Sequence, residues 1–170
     1  GGSVMATAKA IAAGVPYDGD VWDLFTGTAL GEVLPTAMIL TLPATGSESS
    51  VNAVITKEET KEKKGIAGEL LRPVFSILNP ELCMTLPKEQ MANAAFDMLS
   101  HVMERYFTNT IHTDVIDGLA ESLMRNIMKA ALRLNEDMRD YDAWGEFGEA
   151  GNLAHNGIMD LGRQGDWASH

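Results

Sequence analysis

Three things are scarce in this chain of 170 residues: cysteine, positive charge and long apolar runs. The one cysteine, Cys83, cannot form an internal disulfide, which fits a reducing compartment and a cytoplasmic protein. Against 24 acidic side chains stand only 13 Lys and Arg, a formal net charge of -11. Nucleic acid is therefore an unsuitable partner, because phosphate contacts need clustered cations. No apolar run approaches the roughly 18 residues of a membrane span, and Gly1-Gly2-Ser3-Val4 is not the charged-then-apolar start of a signal peptide. An initiating Met is missing as well, and the chain stops at His170 without a tail. Those two ends raise the expectation of either a processed chain or an internal fragment of a longer protein.

What is present fits a folded protein, with 45% hydrophobic and 22% charged residues over a length suited to one domain or two small ones. Val4 to Ala13 is a run of small helix formers that Gly14 can end. A loop with three glycines follows, from Pro16 to about Val33. Ala37 to Leu42 is short and continuously apolar, the pattern of a strand covered on both faces. Val51 to Thr56 and Val74 to Leu78 predict two further strands, and the charge-rich Lys57 to Lys64 between them predicts a solvated loop. Past Pro87 the rhythm becomes helical. Met91, Ala94, Ala95, Met98, Leu99, Val102, Met103 and Tyr106 form one stripe of a helix over Lys88 to Phe107. A second helix is expected over Thr113 to Leu134, with Val115, Ile116, Leu119, Leu123, Ile127 and Leu134 inward, and a third over Asp142 to Asn156. The chain thus divides near residue 86, with an α/β part over 1–86 and an all-α helical part over 87–170.

Two of the four histidines, His101 and His170, stand four residues after an aspartate. On a helix that spacing puts Asp97 and His101 on one face, and a carboxylate with an imidazole is a donor set for a divalent transition metal. An Asp–His pair at this spacing is more often a plain helix-surface contact. His112 and His155 have no such partner and read as turn or helix-packing residues. Gly1-Gly2-Ser3 before a helix could cradle a phosphate or be only a turn. Thr41-Leu42-Pro43-Ala44-Thr45-Gly46-Ser47-Glu48 follows a buried-type strand and offers hydroxyls at its carboxyl end, where open α/β sheets place ligands; a hydroxyl-capped turn is the alternative. Cys83 has no basic neighbour that would activate it.

In order, Gly1-Gly2-Ser3-Val4 with Ala8-Lys9, the Thr41 to Glu48 segment, Arg72-Pro73-Val74-Phe75, Asp97 to His101 and Gly165-Asp166-Trp167-Ala168-Ser169-His170 form a pattern. It resembles the iron-containing (group III) metal-dependent alcohol dehydrogenases, in their butanol dehydrogenase and NADPH-dependent aldehyde reductase branch. The resemblance implies a dehydroquinate synthase-like fold, in which a partial dinucleotide-binding α/β domain precedes a partial helical metal-binding domain, with the active site in the cleft between them. The implied activity is hydride transfer between NAD(P)H and an aldehyde or primary alcohol bound to a divalent metal. Family members hold iron or zinc through an aspartate and three histidines. Asp97, His101 and His170 match three of these, and the fourth lies beyond His170 in the family's chain. Gly1, Gly2 and Ser3 match the pyrophosphate turn, Thr41, Thr45 and Ser47 the second cofactor loop, and Lys63 the position of a lysine near the nicotinamide ribose. Trp167 is a candidate lining residue of the substrate cavity, although a large aromatic beside a helix is more often core, and homo-oligomers are implied. Three positions depart from the pattern: Ala6 replaces an aspartate, Asn79-Pro80 an Asp-Pro, and Ser50 an asparagine. NAD and NADP, and Fe2+ and Zn2+, all remain open. So does a different role, a non-catalytic remnant or association module.

Overall fold

The computed structural model describes residues 1–168, and the chain forms two compact units. The first takes Gly1–Ile39 and Ser47–Ile77; the second takes Leu40–Gly46 and the chain from Leu78 onward.

The first unit is built around small residues. Helix α1, Gly2–Gly14, buries Met5, Ala6, Lys9, Ala10, Ala12 and Ala13. Ala10 and Ala13 join Leu24, Phe25 and Leu71 in its core. Within the expected loop after α1 lies a short helix, α2, Val21–Phe25. Asp20 starts it, its carboxylate accepting from the Trp22 amide at 2.9 Å. Strand β1, Ala37–Ile39, pairs in parallel with the last strand of the unit, β4, Phe75–Ile77. The expectation of a strand covered on both faces is corrected here: Met38 is buried, but Ala37 and Ile39 are exposed.

Between them, β2, Asn52–Lys57, and β3, Glu62–Ala67, form an antiparallel hairpin in the register Asn52↔Ala67 to Lys57↔Glu62. The charged run is therefore only partly a loop. Its tip is solvated, with Lys61 at a φ of 58°, but from Glu62 the chain returns as a strand. Ile66, just beyond the charged run, packs on the core, and Lys64 lies over the Trp22 ring, 5.7 Å from its centroid. Charge count alone misses this alternation.

The second unit packs three helices, α3 (Lys88–Tyr106), α4 (Asp114–Glu136) and α5 (Tyr141–His155). Met98, Val102, Ile127, Leu134, Trp144, Phe147 and Ala154 meet in its centre. Asp140 caps α5, accepting from the Ala143 amide at 2.9 Å. The α4 seam differs from the expected stripe. It runs through Ala120, Leu123, Ile127, Ala130 and Leu134, steps of three and four that include two alanines, whereas Val115 and Leu119 are exposed. Leu123, Ile127 and Leu134 lie inward as expected; counting only large apolar residues misses the two alanines and adds the exposed residues of the first turns.

Candidate functional site

The stripe that buries Met91, Ala94, Ala95, Met98 and Val102 of α3 in the core leaves Asp97 and His101 one turn apart on the helix's flank. His101 Nε2 lies 3.9 Å from Asp97 Oδ1. That is too long for a hydrogen bond. It is within the span of one cation touching both donors at about 2.1 Å each, so the pair fits half of a coordination sphere. His101 is buried and Asp97 half-buried. Among the described residues no group of three or more His, Cys, Asp or Glu side chains gathers around a common point. The third predicted donor, His170, and its neighbour Ser169 lie outside the described residues.

His155, at the end of α5, stacks on His101 with ring centroids 4.4 Å apart and planes 17° from parallel. Arg105, one turn beyond His101 on α3, places Nη2 2.9 Å from His155 Nδ1. A guanidinium can only donate, so Nδ1 is the acceptor and the neutral ring carries its proton on Nε2. Arg105 also donates through Nη1 to the His101 carbonyl at 2.7 Å and through Nε to Asp160 at 2.8 Å. Its remaining face covers the Trp167 ring, 4.6 Å from the centroid. Trp167 sits at a φ of 58°, a region that bulky residues rarely enter.

The predicted hydroxyl turn approaches the same histidine. Gly46 has a φ of 61°, and a Cβ there would stand 2.6 Å from the Cβ of His155. Glycine is required on both counts. Thr41 and Thr45, within the same unit, are exposed. The structure thus brings the Thr45-Gly46 turn, His155, His101 and Arg105 into one continuous cluster.

In the first unit, Gly1 is the N-cap of α1 and Gly2 and Ser3 already belong to its first turn. Backbone amides in such a turn lack intrahelical acceptors and favour anions. Ser47, Glu48 and Ser50 are buried. Three side chains fix the backbone that follows Ser47: Lys9 Nζ donates to the carbonyls of Ser50 at 2.7 Å and Asn52 at 3.0 Å, Arg72 Nη1 to that of Ser49, and Ser76 Oγ to that of Glu48. Lys63 lies exposed on β3.

Burial lowers the Lys9 ammonium to about 8, with nearby Glu48 raising it in part, and burial raises the Glu48 carboxyl above its ordinary range. For Glu48 the folded state binds the proton more tightly, so its contribution to stability is complete below pH 4.5 and is lost as pH rises through the folded value. For Lys9 the folded state binds the proton more weakly, so stability is regained between about pH 8 and 10.5. Glu48→Gln should flatten the acid-side fall, which for one proton is at most about 1.4 kcal/mol per pH unit. It should also start the alkaline rise at lower pH, because Lys9 loses its counter-charge. Urea midpoints measured from pH 4 to 10 check both arms.

Sequence reasoning missed Lys9, Arg105 and His155 as site residues. The signal for Lys9 was a lysine on the buried side of a small-residue helix; for the other two no spacing pointed to their partners.

Residues 1–80 match the sequence profile of the iron-containing alcohol dehydrogenases, and residues 91–170 that of the C-terminal region of the Fe-containing alcohol dehydrogenase family. A probable NADH-dependent butanol dehydrogenase 2 from Bacillus subtilis is 43% identical over 171 residues, covering 100% of this chain and 44% of the relative. The NADPH-dependent aldehyde reductase YqhD of Escherichia coli is 33% identical over 174 residues, covering 100% of this chain and 45% of that enzyme. The crystal structure of NADH-dependent butanol dehydrogenase A from Thermotoga maritima superposes with a TM-score of 0.93 at 44% identity, covering 97% of this chain and 42% of that one. This chain spans a little under half the length of these relatives.

Proposed function

Since the chain belongs to the iron-containing alcohol dehydrogenase family, we propose that the protein carrying it transfers hydride between a nicotinamide dinucleotide and an aldehyde or primary alcohol. The observation that carries this reading is the Asp97–His101 pair, whose donor atoms lie 3.9 Å apart in a stretch matched to the family. Asp97 and His101, with His170, would hold one divalent metal, Fe2+ or Zn2+. When bound, that cation supplies Lewis acidity toward the substrate oxygen and the dinucleotide supplies the hydride.

The chain's own residues bind and orient. Gly1, Gly2 and Ser3 would receive the pyrophosphate of NAD or NADP at the start of α1. Thr41, Thr45, Ser47 and Lys63 would contact the rest of the dinucleotide. Lys9, Arg72 and Ser76 hold the chain beyond Ser47 in place through the carbonyls of Glu48, Ser49, Ser50 and Asn52, so that Ser47 need not be ordered on binding. His155, neutral and stacked on His101, fixes the plane of a ligand ring. On this reading residues 1–86 are the dinucleotide-binding part and 87–170 the metal-binding part of a cytoplasmic homo-oligomer.

The test is butanal-dependent oxidation of NADH and NADPH by the protein carrying this sequence, followed by the absorbance of the reduced nicotinamide. Turnover with at least one cofactor is expected, falling to background on chelation and returning when Fe2+ or Zn2+ is restored. Turnover indifferent to chelation contradicts the reading. A folded protein without turnover on any aldehyde or alcohol supports an association module instead.

A further inference from the structure

We propose that Arg105 is a positioning residue for the metal, acting through the rings of His155 and His101; the inference rests on the metal site proposed above. Arg105 is buried, with 3% of its surface exposed, and its donors reach groups far apart in the sequence. Nη1 fixes the His101 carbonyl at 2.7 Å. Nη2 holds His155 Nδ1 at 2.9 Å, and the His155 ring lies flat on that of His101. The orientation of a proposed ligand ring is thereby set by a guanidinium that does not touch the metal.

The fork is held in turn. Asp160 accepts from Nε at 2.8 Å and from Nη2 at 3.3 Å, matching the planar guanidinium with a planar carboxylate. The segment leading to residue 168 is tied to the same turn of α3. Arg163 Nη1 donates to the Arg105 carbonyl at 2.8 Å, the Asp166 amide to the Glu104 carbonyl at 3.3 Å, and the Trp167 ring lies under the guanidinium. A lysine would keep the charge but could not make these bonds in one plane.

The experiment compares the parent, Arg105→Lys, Asp160→Asn and Asp97→Ala in the protein carrying this sequence. Zn2+ affinity is measured by competition with a chromophoric chelator, the visible spectrum is recorded with Co2+, and the metal-free fold is checked by far-UV circular dichroism. Arg105→Lys should keep the parent's dichroism, weaken Zn2+ binding about 10- to 100-fold, as loss of an outer partner of a ligand does, and alter the Co2+ bands. Asp160→Asn should weaken Zn2+ binding by a smaller factor in the same direction. Parent-like affinity and Co2+ bands in Arg105→Lys, while Asp97→Ala loses metal, overturn the positioning role alone. Metal binding in Asp97→Ala equal to the parent's instead overturns the metal site. Loss of the metal-free fold in both Arg105→Lys and Asp160→Asn makes the cluster structural and also overturns the proposal.

Discussion

Asp97→Ala and His101→Ala should each lower kcat/KM for aldehyde reduction at least about 1,000-fold, equivalent to about 4 kcal/mol of transition-state stabilisation. The expectation follows from where the two side chains sit. They project from one flank of α3, a turn apart, with donor atoms 3.9 Å from each other, and neither belongs to the apolar cluster that includes Met98 and Val102. Removing either donor would leave the proposed metal site with fewer ligands, and loss of even an outer partner typically costs 10- to 100-fold. A directly ligating group should cost more. Both variants should keep the parent's helical dichroism, which separates loss of chemistry from loss of fold. Asp97→Asn is the sharper control: it keeps the shape but not the charge, and should retain partial metal binding.

Gly46→Ala should cost about 3 kcal/mol of stability from two independent terms. Alanine at a φ of 61° pays roughly 1–2 kcal/mol for the left-handed conformation. The new Cβ would stand 2.6 Å from the His155 Cβ, and displacing a packed neighbour costs roughly 1–3 kcal/mol. For a folded unit of about 150–250 residues, a loss of that order lowers Tm by about 6–12 °C. The displaced atom belongs to His155, whose ring lies on His101, so metal affinity should fall with stability. Gly148→Ala is the control. It lies on α5 with nothing within 4 Å of the added Cβ, and alanine in a helix should be neutral or stabilising by up to about 1 kcal/mol. Equal melting temperatures for the two variants would remove the steric argument.

Periodic features were readable from the sequence. Residues of α3 recur every three or four positions, so its limits and buried face follow from the pattern. The order of separated motifs carried the family. Features set by a single side chain reaching a distant part of the chain were not readable. Lys9 binds a carbonyl 41 residues away, and Arg105 binds His155 50 residues away and Asp160 55 residues away. Nothing in local spacing marks such a partner, so the sequence does not single out Arg105, and His155 reads as a turn or helix-packing residue. The α4 seam is legible only at Leu123, Ile127 and Leu134 for a different reason: Ala120 and Ala130 complete it, and alanine weighs little in an apolar count although its small volume is what lets helices approach. The hairpin was hidden by its own charge, because Lys57 and Glu62 face each other across the register in a run that reads as solvated.

Asp97 and His101 are proposed to hold a metal. Elemental analysis of the purified protein carrying this sequence, after reconstitution with Fe2+ or Zn2+ and removal of loose ions, tests it most directly. The account predicts about one ion per chain in the parent, the number one site holds, and less than about a tenth of that in Asp97→Ala and in His101→Ala. Unchanged metal content in both variants would contradict it.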